Sequence, residues 1–210
     1  MYLNIVLLLV FFAVLAMLVR EGLWSNAIKL FNVMMAAMLA TNYFEPLADW
    51  LTDPKHMPTF TYVWDIIVVW AIFCVALGVL QTITDKLSHV QVRFRKPVET
   101  AGGIFFACWI GWLMVCFTTF TLHMAPLSRS FLDGSFQPTA DTKMFFGLAP
   151  DQQWLAFMHT MSLDGSLAKS RAEGDTRTDV FDPDADFIFK YGASRERFEH
   201  QQDIRTRGTR

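Results

Sequence analysis

Proton-transfer and metal chemistry would fall first to histidines, cysteines and clustered carboxylates, and in this sequence they are scattered. His56, His89, His123, His159 and His200 stand in separate segments and never at metal-ligand spacing. Cys74, Cys108 and Cys116 lie inside long apolar runs with no CxxC pair, a pattern that suits packing rather than a disulfide framework or a zinc site. Asp182, Asp184 and Asp186 alternate as in a calcium loop. That loop needs glycine at its sixth position and glutamate at its twelfth, and the residues there are Phe187 and Ala193. The nucleophile elbow, the HExxH helix, the P-loop and the dinucleotide fingerprint do not occur. The reading is of a non-enzymatic protein with no catalytic residue, metal or cofactor. One acid stands apart: Asp65 lies about 7.5 Å along a helix axis inside an apolar run. An ionisable group within a membrane span is a functional candidate.

The elements that would position these residues are set by an uneven composition. Charged residues are 18% of the chain, and residues 1–128 hold only seven of the 18 Lys+Arg and seven of the 20 Asp+Glu. Four apolar runs fill this first part. Tyr2–Val19 is apolar apart from Asn4; Arg20 follows it and no basic residue precedes it, the reverse of a signal peptide, so a retained helix is expected. Ala27–Tyr43 is the weakest run, with Ser25 as its expected N-cap. Its Lys29, Asn32, Ala36, Ala40 and Tyr43 form a small and polar stripe expected to face other helices, and the Lys29 head is expected to reach the interface. Phe60–Leu80 and Gly102–Met124 are strong spans, the last closed by Pro126. Within it, Gly103, Ala107 and Gly111 recur at four-residue spacing, a face on which another backbone can approach closely. Glu99, just before the run, suits the first turn of a helix. The fold class predicted is all-α: a polytopic bundle of about four transmembrane helices over residues 1–125, with a polar tail over 126–210.

Lys and Arg in the short loops set the expected orientation. Loops one and three carry Arg20, Lys29, Lys86, Arg93, Arg95 and Lys96, against Lys55 alone in loop two. Both termini are therefore expected outside the cytoplasm. The stretch from His89 to Lys96 reads as an ordinary basic loop. In the tail, Pro150-Asp151 starts an amphipathic helix near 151–162, with Trp154, Leu155, Met158 and Met161 on one face. Phe145-Phe146 and Phe187–Phe189 are further apolar patches, and residues 162–179 read as a flexible linker. The partners implied are the lipid bilayer and other membrane proteins or a second copy of the chain. Nucleic acid is not among them, since the net charge of −2 offers no basic surface.

The pattern resembles the colicin V production protein family of bacterial inner-membrane proteins over residues 1–125. The family has an Arg-Gly step after its first span; here Arg20 matches, Glu21 stands in the Gly place and Gly22 follows. It has an acid four residues before glycines at four-residue spacing, matched by Glu99, Gly103 and Gly111, with Ala107 replacing one Gly. The segment Pro126-Leu127-Ser128-Arg129-Ser130 is similar to the family's short Ser-containing segment. The resemblance implies a bacterial cytoplasmic-membrane protein linked to colicin V production and envelope integrity, with no defined molecular activity. Two functions follow: a membrane factor acting through helix contacts, or a transporter or channel subunit using Asp65 and the polar face of span two, Asn32 included.

Overall fold

The computed structural model describes residues 2–52, 61–88, 95–125, 144–163, 181–182 and 186–193. All regular structure among them is helical: α1 (Tyr2–Leu18), α2 (Leu23–Thr52), α3 (Thr61–Leu87), α4 (Lys96–Met124) and α5 (Pro150–Leu163), with a further short helical segment at residues 187–193. Three helices are long and apolar enough to cross a membrane, over Leu23–Leu51, Trp64–Leu87 and Lys96–Met124. The shorter α1 is apolar throughout, and its 17 residues meet the lower limit of about 17 for a span.

The helices outrun the apolar runs that define them. α2 begins four residues before Ala27 and continues past Tyr43 through Glu45, Pro46 and Asp49. α3 runs on from Leu80 to Leu87, and α4 starts at Lys96 rather than Gly102, which places Glu99 in its first turn. At 1.5 Å per residue α2 is about 45 Å long, well beyond a hydrocarbon core of about 30 Å. Its polar ends therefore project into headgroups and water, where charged residues and a proline are tolerated. Ser25 is not the N-cap of α2. The first helical bond runs from the Asn26 amide to the Gly22 carbonyl, so Gly22 holds the capping place and Ser25 lies inside the helix.

The surface of the helices is what a lipid solvent selects. Leu9 is 67% exposed and Met17 77%, alongside Phe12, Phe31, Val75 and Trp109. A row of large apolar side chains this open would be a liability in water. Inward faces carry small residues and rings. Ala36, Ala37, Ala40, Phe44 and Ala48 form the buried stripe of α2. Tyr43, expected on that stripe, is instead half exposed, because the buried face advances four residues from Ala40 to Phe44.

The chain forms two compact units, Val6–Thr118 and Met1–Ile5 with Thr119–Arg210. In the first, α2 packs on α3. Phe117 of α4 meets Trp70 and Phe73 of α3 at ring-centroid distances of 5.5 and 4.9 Å. In the second, Phe120 stacks on Phe187 at 4.9 Å and meets Phe181 edge-on at 6.3 Å, and Tyr191 closes on Phe187 at 4.8 Å. Of the apolar tail patches, Phe145 and Phe187 are buried, while Phe146 and Phe189 remain exposed. On α5 the buried face is Asp151, Trp154, Met158 and Ser162. Met161, expected there, is exposed, and Ser162 takes its place because its hydroxyl accepts from the Phe181 amide at 2.9 Å.

Candidate functional site

The residues of greatest interest meet where the α1–α2 turn packs on the first half of α4. Helix α1 ends with carbonyls that have no partner within the helix, a cost in lipid unless another donor arrives. The Glu21 amide reaches the Leu18 carbonyl at 3.0 Å, and Asn26, fully buried, adds a second donor. Its Nδ2 donates to the Leu18 carbonyl at 3.1 Å and to the Gly103 carbonyl at 2.9 Å, tying the end of α1 to α4 across 77 residues of sequence. Its Oδ1 is buried without a hydrogen-bond partner.

The small residues make this approach feasible. A Cβ on Gly103 would stand 2.9 Å from the Glu21 carbonyl oxygen, and one on Gly22 would stand 2.8 Å from Glu99 Oε1. One on Gly111 would meet the Phe11 ring at 3.0 Å, and Ala107 between them is fully buried. The residues singled out along α4 thus lie against α1 and the turn that follows it. Glu99 and Gly22 are brought together, while Arg20 is exposed at the turn. We expect Asn26→Leu, which roughly keeps the volume but removes both bonds, to lower unfolding free energy in mild detergent by about 1–3 kcal/mol. An unchanged denaturation midpoint would mean that the two carbonyls are satisfied without it.

The same turn carries an ion pair that the sequence did not reveal. Lys29 donates its Nζ to Glu21 Oε1, and Ser25 Oγ donates to Glu21 Oε2 at 2.6 Å. Glu21 lies outside the spans. Partial burial opposes its ionisation, but the Lys29 and Ser25 hydrogen bonds and the Lys29 charge outweigh this and hold its carboxyl below the ordinary value of 4.5. A lowered folded value means stabilisation that is complete above about the ordinary value and lost as pH falls through the folded one. The stability difference between wild type and Glu21→Gln should therefore shrink on acidification below 4.5. A difference that is constant from neutral pH into that range would remove the pair as its source.

Asn32 is 1% exposed and donates from Nδ2 to Thr84 Oγ1 at 2.8 Å, linking α2 to the last turns of α3. Asp65 is half-buried near the other end of α3, 19 residues from Thr84 and so about 28 Å along the axis. Between those ends Val68, Val69 and Phe73 are buried on α3, and Ala36, Ala40 and Phe44 on α2. Asn32 and Asp65 are not brought together, and apolar packing separates them.

In the second unit His123 of α4 meets α5. Its Nε2 lies 3.0 Å from Asp151 Oδ2, and both side chains are nearly fully buried. The histidine lies in the last turn of α4 and the acid in the first turn of α5. His159 Nδ1 donates to the Phe181 carbonyl at 3.2 Å. Asp182 Oδ1 accepts from the amides of Asp186 and Phe187 at 2.9 and 3.2 Å, capping residues 187–193. Among the described residues no group of three His, Cys, Asp or Glu side chains could hold a metal ion. The stretch from His89 to Phe94, Lys55, Asp184, the Ser-containing segment after Pro126 and most of the expected linker lie outside the described residues.

Long apolar helices exposing large hydrophobic side chains and joined through buried amides and glycine contacts define a polytopic helical membrane protein. Residues 3–141 match the profile described as colicin V production protein, and the chain belongs to that family. No curated protein and no solved structure matches it.

Proposed function

We propose that this chain is a non-enzymatic factor of the bacterial cytoplasmic membrane that supports secretion or envelope homeostasis through contacts made within the bilayer. The observation that carries the reading is the junction at Gly22, Asn26 and Gly103. The Asn26 Nδ2 donors are spent on joining helix to helix, which suits a packing role better than turnover of a substrate. Family membership supplies the link to colicin V production. The excess of Lys and Arg in loops one and three favours both termini on the extracytoplasmic side.

Crosslinking in intact membranes, followed by identification of the captured proteins, tests this directly. The expected result is a reproducible membrane partner or a second copy of the chain, together with loss of colicin V export in a deletion strain and its rescue by wild type. A solitary protein whose deletion leaves export and envelope integrity unchanged would defeat the proposal. Reporter fusions at either end check the orientation.

A further inference from the structure

A polar cavity of about 400 Å³ opens between the start of α2 and the end of α3. Trp24, Ser25, Lys29, Asn32, Asp85 and Ser88 are among its walls. It is built and partly closed: Trp24 Nε1 donates to Ser88 Oγ at 3.2 Å, joining the two helices at one side. The groups are unevenly satisfied. Lys29 spends one of its three N–H donors on Glu21 and keeps the others, whereas the acceptors are in surplus. Asn32 Oδ1 is buried without a hydrogen-bond partner although Asn32 forms part of the wall, and the Asp85 carboxylate is exposed beside it.

This set asks for a ligand with several N–H donors at one end and an anionic oxygen at the other. A primary ammonium would answer Asp85 and the Ser88 hydroxyl beside it on the cavity wall, and a phosphate would take the remaining Lys29 donors. The position of the cavity selects the source. It lies at the ends of two spans, at headgroup depth, and the same helices expose Phe31, Ile83 and Leu87, surfaces on which acyl chains can run. We propose that the α2–α3 cavity binds the headgroup of an ethanolamine phospholipid. A choline headgroup carries no N–H to donate, and an anionic glycerol headgroup places its charge near Asp85 and Glu21 without an ammonium to meet them.

The test uses the full chain reconstituted in vesicles of equal phosphatidylethanolamine, phosphatidylcholine and phosphatidylglycerol, extracted in mild detergent, with retained lipid counted by native mass spectrometry. One charge-assisted hydrogen bond corresponds to a retention ratio of ethanolamine over choline lipid of about tenfold. Asp85→Asn, at an exposed position, should bring that ratio close to one, while Asp49→Asn, exposed on α2, should leave it unchanged. Equal retention of the three lipids by the wild-type protein would overturn the proposal. So would an Asp85→Asn ratio as high as wild type, or displacement of the lipid by soluble glycerophosphoethanolamine at equal concentration, which would make the free headgroup the ligand. Lipid retention is read without reference to export, so this result and the secretion reading fail separately.

Discussion

Gly103→Ala should destabilise the protein by about 2–3 kcal/mol, and Gly102→Ala, one residue away, by less than about 1 kcal/mol. Added volume alone would give the opposite order, because a Cβ on Gly102 would meet the Leu23 Cδ1 methyl even more closely than one on Gly103 meets its neighbour. What differs is the obstacle. Leu23 Cδ1 is the end of a flexible side chain and can turn aside into another rotamer. The obstacle at Gly103 is the Glu21 carbonyl oxygen at 2.9 Å, followed by Gly22 and Leu23 backbone atoms at 3.6 Å. That backbone cannot move without carrying the α1–α2 turn with it. The shift would also stretch the bond from Asn26 to the Gly103 carbonyl. Lipid offers no hydrophobic drive to restore the contact, so the loss of close packing and of the hydrogen bond is felt together. Denaturation of the two variants in the same detergent reads the order, and Gly102→Ala proving the more damaging would dismantle the account of this junction.

Asp151→Ala should cost about 1–3 kcal/mol, the range found when one partner of a buried hydrogen bond is removed. The carboxylate lies 3.0 Å from His123 Nε2, and its own Oδ1 is already buried without a hydrogen bond. Asp151→Asn keeps an acceptor in place and should cost markedly less. The two single alanine variants should not add: His123→Ala with Asp151→Ala should destabilise less than the sum, because each change removes the same hydrogen bond. Strict additivity in that cycle would show that the two side chains are neighbours without being energetically coupled.

The spans were legible because lipid imposes a simple rule, a long run of apolar residues, and α1, α3 and α4 follow it. The ends were not. The second apolar run stops at Tyr43, yet α2 passes on through Glu45, Pro46 and Asp49, since beyond the hydrocarbon water solvates charges and softens the cost of a proline. The spacing of Gly103, Ala107 and Gly111 announced a close approach, but it could not name what approaches. Phe11 and the α1–α2 turn are distant in sequence, and nothing local points to them. Asn26 was overlooked although it stood in view as a lone amide beside a turn, and one of the carbonyls it serves, Leu18, belongs to a helix end whose needs could have been counted. Asp151 was read only as a residue that starts a helix. Its pairing with His123 depends on a fold-back across 28 residues that no periodicity encodes. On α5 the apolar pattern favoured Met161, whereas a hydroxyl with a backbone amide to satisfy occupied the buried place.

The final turn of α4 takes its neighbours from residues far downstream: Phe120 lies under Phe187 and Phe181, and His123 is held by Asp151. A polypeptide clipped after Ala125, where the apolar runs stop, would keep every long hydrophobic stretch and still bare the Phe120 ring and the His123 face that Asp151 covers at its cut edge. Such a fragment should clump in detergent. Fusion junctions intended to report on the native protein belong past residue 193.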